Sequence, residues 1–200
     1  MIAAGLVRPE CCSVSGYIKL SALLGSAGGR TTRQRLFDNG RPTILYNPHF
    51  AHGLSSLGVF GEALVRAVVA DGRYNLVVAP HVRLRESLTG EESRAITAWA
   101  VPGRVLVDLG SERSSDMSYT LAADLYVGDV SSQVYEYLYR PRPCLFLNVT
   151  GADRRADPSF AFWRLGQVID DPACLSDAID RARPPVGIGP SCRLCPRADC

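Results

Sequence analysis

The sequence predicts an α/β fold in which a parallel sheet is covered by helices on both faces. Between residues 41 and 183, short unbroken apolar runs alternate with segments whose apolar residues recur at helical spacing. Strands that are buried on both faces read as such runs, and their alternation with helices is typical of a parallel sheet between two helical layers. Ligands bind these sheets beyond the carboxyl ends of the strands, so polar residues that directly follow a strand are the candidates for function.

The predicted strands are short apolar runs bounded by proline, glycine or polar residues. They cover residues 43–47, 74–79, 104–109, 125–127 and 143–148, with a short edge strand at 166–169. The predicted helices cover residues 57–71, 90–100, 117–123, 134–138 and 174–183. Ser55 or Ser56 is expected to cap the first helix, and Ser115 with Asp116 the third, because short polar side chains accept hydrogen bonds from the first turn.

One domain is predicted, over residues 41–183. Residues 1–40 read as a linker or as the remnant of a domain crossing, and residues 184–200 as an irregular tail rich in cysteine and proline. Three cysteines of this tail, Cys192, Cys195 and Cys200, are one ligand short of a structural zinc site, so no metal is predicted.

Composition and charge exclude several classes of function. The formal net charge is +2, so the bulk charge gives no indication of nucleic-acid binding. The apolar runs are far too short to span a bilayer, and the apolar start of the chain is too brief for a signal peptide. Seven cysteines without an export signal favour a reducing compartment. We therefore expect a cytoplasmic protein.

The most informative stretch is residues 123–138, where a buried strand breaks at Gly128 and a helix restarts. Ser131 and Ser132 stand at the start of that helix, where free backbone N–H groups and two hydroxyls favour a phosphate or diphosphate ligand; ordinary capping by serine is the alternative. Asp129 is expected to fix the turn by accepting hydrogen bonds from backbone N–H groups.

Other polar residues converge on the same edge of the predicted sheet. His49 follows the first strand, His81 the second, and Gly110 with Ser111 the third. Glu136 lies one helical turn beyond Ser132 and is expected on the same face of its helix. His81 is the candidate for donating a hydrogen bond or a proton to a phosphate, since placement and electrostatics supply most of the rate in such transfers.

Several segments, in this order and spacing, resemble the CDP-glycerol glycerophosphotransferase family, whose members have the two-domain GT-B glycosyltransferase architecture. They are residues 14–17 (VSGY), 43–48 (TILYNP), 123–132 (ADLYVGDVSS), 135–138 (YEYL), 142–146 (RPCLF), 162–168 (FWRLGQV) and 175–179 (LSDAI). Two departures stand out: Val82 replaces the proline that follows the family's histidine, and Val130 replaces a tyrosine that often precedes the paired serines. The resemblance covers only the carboxyl-terminal, nucleotide-binding half.

The resemblance implies a Rossmann-like domain that binds the donor of a transferase. The reaction would move a glycerophosphate or glycosyl group from a nucleotide-diphosphate donor, such as CDP-glycerol, to a hydroxyl acceptor during synthesis of a teichoic acid-like cell-surface polymer. The residues expected to contact the donor are Ser131, Ser132, Glu136, Asp129 and His49, with Glu136 on the ribose hydroxyls and His81 as the catalytic residue.

The resemblance also implies what must complete the enzyme. Family members use an amino-terminal domain for the acceptor and for the base, so a missing domain or a partner chain is expected, with peripheral attachment to the inner face of the membrane through the full enzyme. No metal or other cofactor is expected. A UDP- or GDP-sugar glycosyltransferase, an epimerase-like enzyme of the same fold and a non-catalytic interaction module stay open as alternatives.

Overall fold

The computed structural model describes residues 35–153 and 157–182, together with Arg8, Ser13, residues 16–18 and Ser21. The chain divides into two units, Met1–Arg33 and Gln34–Cys200, and the fold below is that of the second unit. Most of the predicted linker at 1–40 and the whole predicted tail at 184–200, with its three cysteines, lie outside the described residues.

Six parallel strands form one sheet in the order β3-β2-β1-β4-β5-β6. The strands are β1 Thr43–Asn47, β2 Asn75–Val78, β3 Val105–Val107, β4 Leu125–Gly128, β5 Cys144–Leu147 and β6 Gln167–Ile169. Every predicted strand is present, and the predicted parallel sheet is confirmed. The strand order reverses between β1 and β4, and ligands of open α/β sheets bind in the crevice at such a switch point.

Four α-helices join strands β1 to β5 and a fifth follows β6, while a 3₁₀ helix joins β5 to β6. The helices are α1 Leu57–Asp71, α2 Gly90–Thr97, α3 Ser118–Ala122, α4 Gln133–Tyr137 and α5 Leu175–Arg181. Two 3₁₀ helices, Val82–Glu86 and Pro158–Leu165, contribute residues to the candidate site. In the described part of the chain, no helix combines the length and apolar character that a membrane crossing needs.

The predicted cap of the first helix is confirmed in position, and Ser55 accepts a long hydrogen bond from the Leu57 N–H, at 3.4 Å. Ser56 precedes α1, but its side chain makes no cap hydrogen bond because its hydroxyl bonds Asp129 instead. The third helix begins one residue later than predicted, after Met117, whose φ of 71° places it in the left-handed region. Asp116 supports this turn by accepting a hydrogen bond from the Ser118 N–H at 2.8 Å.

Side chains of successive strand residues point to opposite layers of the domain. Ile44 and Tyr46 pack with α1 and α5, whereas Leu45 packs with α3, α4 and the 3₁₀ helix Pro158–Leu165. The aromatic patch of that 3₁₀ helix is therefore core, and Trp163 is almost fully buried. Both faces of the sheet are covered, so its exposed polar features are confined to the strand ends.

Candidate functional site

Asp129, directly after β4, is a buried hub between the loops at the switch point. Its Oδ1 accepts hydrogen bonds from the N–H groups of His49 (2.9 Å) and Val130 (2.7 Å). Its Oδ2 accepts them from the N–H and the hydroxyl of Ser56, at 2.7 and 2.9 Å. The Asp129 carbonyl accepts from the indole N–H of Trp163 at 2.7 Å. One residue thus joins the loop after β1, the start of α1, the turn after β4 and a 3₁₀ helix.

The position of Asp129 gives it a structural task. Only 1% of the residue is exposed, and internal donors occupy both carboxylate oxygens. These bonds agree with the expected turn-fixing role, but the placement does not support the expected contact with a donor. Burial raises the pKa of Asp129, and the hydrogen bonds from Ser56 and His49 oppose that rise. The group that meets the first turn of α1 is therefore the protein's own Asp129 side chain, through the N–H and hydroxyl of Ser56.

His49 and His81 lie beside each other, just past the ends of the adjacent strands β1 and β2. Their ring centroids are 6.3 Å apart, and both residues are half-buried. The Nδ1 of His49 accepts a hydrogen bond from the Ala51 N–H at 3.0 Å, and the Nδ1 of His81 accepts one from the Arg83 N–H at 3.3 Å. In the neutral rings the proton therefore sits on Nε2, so each ring offers an Nε2–H donor.

The charge state of the two histidines follows from their surroundings. Burial lowers the pKa of both rings. For His49, the Asp129 carboxylate opposes this change and the Arg83 guanidinium adds to it. For His81, both His49 and Arg83 lower the pKa further. Both rings are thus neutral near pH 7, where they act as hydrogen-bond donors.

Two residues of this region were not predicted from the sequence, Phe50 and Arg83. The Phe50 ring lies 4.2 Å from the His49 ring and 5.1 Å from the His81 ring, by centroids. The Arg83 guanidinium lies over the Phe50 ring, with its Cζ 4.2 Å from the centroid. We call His49, Phe50, His81 and Arg83 the His–Arg cluster. The sequence signal for Arg83 is its position two residues after a histidine that follows a strand.

Ser131 and Ser132 have different surroundings, although they are adjacent. Ser131 is 1% exposed, and its hydroxyl accepts a weak hydrogen bond from the Gln133 N–H at 3.4 Å. Ser132 is exposed, and its side chain makes no cap hydrogen bond. The helix that follows has only five residues, so the expected help from a helix dipole is small. Of the two hydroxyls, only that of Ser132 faces solvent.

Glu136 was expected on the same helix face as Ser132, but Glu136 is buried whereas Ser132 is exposed. It is 5% exposed and lines a small pocket between the sheet and the helices α3 and α4, together with Asn47, Ser114 and Gln133. The pocket has room for about one water molecule. A ribose does not fit there unless the pocket opens, so the contact of Glu136 with ribose stays a prediction.

The end of β3 is closed by an internal network. The Asp108 carboxylate accepts hydrogen bonds from the Gly110 and Ser111 N–H groups, the Ser111 hydroxyl and the Tyr119 hydroxyl, the last at 2.6 Å. Burial opposes ionisation, but the hydrogen bonds from Ser111 and Tyr119 outweigh it and lower the pKa of Asp108 to about 2. Gly110 and Ser111 lie at the predicted edge, but their donors there are already engaged.

Among the described residues considered above, those that can meet a ligand at the switch point are His49, His81, Arg83 and Ser132. Within the described ranges, no three or more His, Cys, Asp or Glu side chains form a group that fits a metal ion.

Comparison with known proteins shows which solved structures share the fold. No protein-family model matches the chain, and no curated protein matches it significantly in sequence. The glycotransferase of kitacinnamycin is similar in structure, with a TM-score of 0.50, 18% identity, and coverage of 77% of this chain and 38% of that one. A variant of the wall teichoic acid polymerase TagF gives a TM-score of 0.51 at 13% identity, covering 90% of this chain and 41% of that one. The chain thus spans about two-fifths of each, and its Rossmann-like fold is that found in these glycosyltransferase structures.

Proposed function

We propose that this chain binds a nucleotide-diphosphate donor at the carboxyl edge of its sheet. It would be the donor-binding half of a GT-B transferase that moves a glycerophosphate or glycosyl group to a hydroxyl acceptor in the synthesis of a cell-surface polymer. The observation that carries the proposal is the His–Arg cluster, which gathers two imidazole N–H donors and a guanidinium beside the switch point.

The chemistry of the transfer matches what these residues offer. A nucleoside monophosphate departs when the acceptor hydroxyl attacks phosphorus, and a nucleoside diphosphate departs when it attacks a sugar carbon. Negative charge grows on the departing phosphate in both cases, and preorganised donors stabilise it. We assign to His81 the stabilisation of the departing phosphate. His49 and the exposed Ser132 hydroxyl would donate hydrogen bonds to the other phosphate oxygens of the donor. The scheme uses protein donors and needs no metal or other cofactor.

The acceptor side of the reaction lies outside the described domain. The chain covers only 41% of the length of the similar TagF structure. We propose that another domain or a partner chain binds the acceptor and supplies the base that takes the hydroxyl proton. The described domain alone would bind a donor but turn it over little or not at all. The complete enzyme would work in the cytoplasm at the inner face of the membrane, where its polymer is made.

Two kinds of nucleotide-diphosphate donor are candidates for the substrate. The resemblance of residues 43–48 and 123–132 to glycerophosphotransferases favours CDP-glycerol. The fold shared with the glycotransferase of kitacinnamycin also suits glycosyl transfer, so a UDP- or GDP-sugar is the second candidate. Both use a diphosphate, so they differ in the base and in the group transferred.

A thermal-shift panel with CDP, CDP-glycerol, UDP and GDP tests the proposal. A ligand at one hundred times its Kd stabilises a protein by about 2.7 kcal/mol, which raises Tm by several degrees for a chain of this size. Stabilisation by the cytidine compounds supports glycerophosphotransfer, and stabilisation by UDP or GDP supports glycosyl transfer. No stabilisation by any of the four contradicts the proposal.

Two histidine variants control the panel. His81→Gln removes a cluster donor and should abolish most of the ligand-induced shift. His52→Gln changes an exposed histidine of the loop after β1 that has no ring contact with the cluster, and it should leave the shift unchanged. An equal loss of the ligand-induced rise in Tm in the two variants would argue against a nucleotide site at the His–Arg cluster.

A further inference from the structure

We propose that Arg83 contacts the second phosphate of the donor and makes this site select nucleoside diphosphates over monophosphates. The inference rests on the proposed function, because it assigns a specificity-determining residue to the same site.

The Arg83 guanidinium is accessible to a ligand. It is exposed and rests on the Phe50 ring, and within the described residues no carboxylate lies in salt-bridge range of it. A guanidinium over an aromatic face is held by cation–π attraction while the edge of its planar fork stays open. Phe50 thus orients Arg83 and leaves its N–H groups for a phosphate, which they can bind in bidentate fashion.

The hydrogen-bond donors of the site are spread over the ends of three strands. The three strands that lead to the site are neighbours in the order β2-β1-β4. Adjacent strands are about 4.8 Å apart, so the ends of β2 and β4 are separated by roughly 10 Å. His81 and Arg83 follow β2, His49 follows β1, and Ser132 follows β4. One phosphate group is too small to contact donors at all three strand ends, whereas two linked phosphates extend along such a row.

Diphosphates and monophosphates differ in negative charge, so the positive charge of the site distinguishes them. Burial lowers the pKa of His49 and His81, so both rings are neutral near pH 7. Arginine keeps its charge at every accessible pH. Arg83 is thus the one permanent positive charge of the His–Arg cluster. A preference for the ligand with the larger negative charge therefore depends on this side chain.

Arg83→Gln and a matched variant, Arg85→Gln, test the inference. Both arginines are exposed and belong to the 3₁₀ helix Val82–Glu86, so both changes remove the same charge from the same element. The Arg85 side chain lies against Gly110 at the end of β3, outside the His–Arg cluster. Calorimetric titration of CDP with CMP, UDP with UMP, and GDP with GMP gives a diphosphate-to-monophosphate affinity ratio for each base.

We expect Arg83→Gln to lower this ratio by about tenfold for the base that binds, through weaker diphosphate binding with little change for the monophosphate. Arg85→Gln should leave the ratio unchanged. Phe50→Leu, which keeps every charge but removes the aromatic support, should lower the ratio by an intermediate factor. Circular dichroism and Tm establish that each variant is folded.

The outcomes separate the two proposals. A wild-type chain that binds nucleotides, but whose ratio is unchanged in Arg83→Gln or falls equally in Arg85→Gln, overturns the role of Arg83 and leaves the proposed function standing. Equal weakening of CMP and CDP binding by Arg83→Gln also overturns it. A wild-type chain that binds none of the six nucleotides overturns both proposals.

Discussion

The Asp129 carboxylate accepts hydrogen bonds from the His49 backbone N–H with both of its oxygens, at 2.9 and 3.0 Å, although the two residues are 80 positions apart. The bond spans the switch point, where β1 and β4 lie side by side. It fixes the loop that carries a candidate ligand-binding histidine to the turn that carries Ser132. The internal hub and the exposed site are therefore parts of one structure.

Asp129→Asn should lower the free energy of unfolding by about 2–4 kcal/mol and weaken nucleotide binding. The amide group presents its own N–H donors to the N–H groups of His49, Val130 or Ser56, so at least one oxygen contact becomes a clash between donors. Urea unfolding measures the first effect, and titration with the nucleotide that binds measures the second.

Tyr46→Phe is the matched control for this prediction. The Tyr46 hydroxyl bonds the Ser56 hydroxyl at 3.0 Å in the same buried network but does not contact His49. Its removal should cost about 1 kcal/mol of stability and leave nucleotide affinity unchanged. If nucleotide affinity falls in proportion to stability in both Asp129→Asn and Tyr46→Phe, Asp129 affects binding only through the stability of the fold.

Tyr119→Phe should destabilise the domain at pH 7 by on the order of 1 kcal/mol, and this difference should shrink as the pH falls from about 4 to 2. Asp108 has a pKa of about 2 in the folded chain against an ordinary value of 3.8. A lowered pKa contributes stability that is present above the unfolded value and lost as pH falls through the folded value. Once Asp108 is protonated, the ionised acceptor that Tyr119 stabilises no longer exists.

Urea midpoints at several pH values for the wild type and Tyr119→Phe check this prediction. A difference in stability that stays constant down to pH 2 would contradict the proposed coupling between the Tyr119 hydroxyl and the Asp108 charge.

Nucleotide affinity should rise as the pH falls below 7, where the two rings begin to take up protons. Burial lowers the pKa of His49 and His81 in the free protein, and a bound anion raises it, so binding takes up protons between the two values. The charged groups that face the two rings are Asp129, which favours protonation of His49, and Arg83, which opposes protonation of both rings.

Titrations in buffers with different ionisation enthalpies measure the proton uptake directly. His81→Gln should reduce the uptake, and His52→Gln should leave it unchanged. Affinity that is independent of pH would show that the histidines bind only as neutral donors.

Arg142→Lys should lower the free energy of unfolding by about 2–3 kcal/mol without changing nucleotide affinity. The Arg142 guanidinium lies 3.8 Å from the Tyr137 ring centroid and donates to the carbonyls of Ala123, at 2.6 Å, and Tyr137. A lysine reproduces neither the planar contact nor the fork of donors.

Arg140→Lys is the control for this change, because Arg140 is exposed and lies over the Tyr139 ring at 4.9 Å. It should change stability by no more than about 0.5 kcal/mol. Similar losses of unfolding free energy in Arg142→Lys and Arg140→Lys, measured by urea unfolding, would show that the specific contacts of Arg142 do not stabilise the fold.

The positions of the strands were predictable because burial on both faces leaves a local mark, a continuous apolar run. The location of His49 and His81 at one edge followed from the same pattern, since the carboxyl ends of parallel strands meet at one edge. The inward turn of the Ser131 hydroxyl and of the Glu136 carboxylate was not predictable. Both depend on how one short turn and one five-residue helix pack against the sheet, and neighbouring residues in such a segment can face opposite ways.

The sequence by itself determined the parallel α/β sheet, its six strands and the edge at which polar residues gather. Only the tertiary structure decided that Arg83 lies on Phe50 and that Asp129 is enclosed between His49 and Ser56. The physical reason is the range of the interactions. An apolar run records the burial of its own residues, whereas these contacts join segments that meet only when the loops of adjacent strands close over one edge of the sheet.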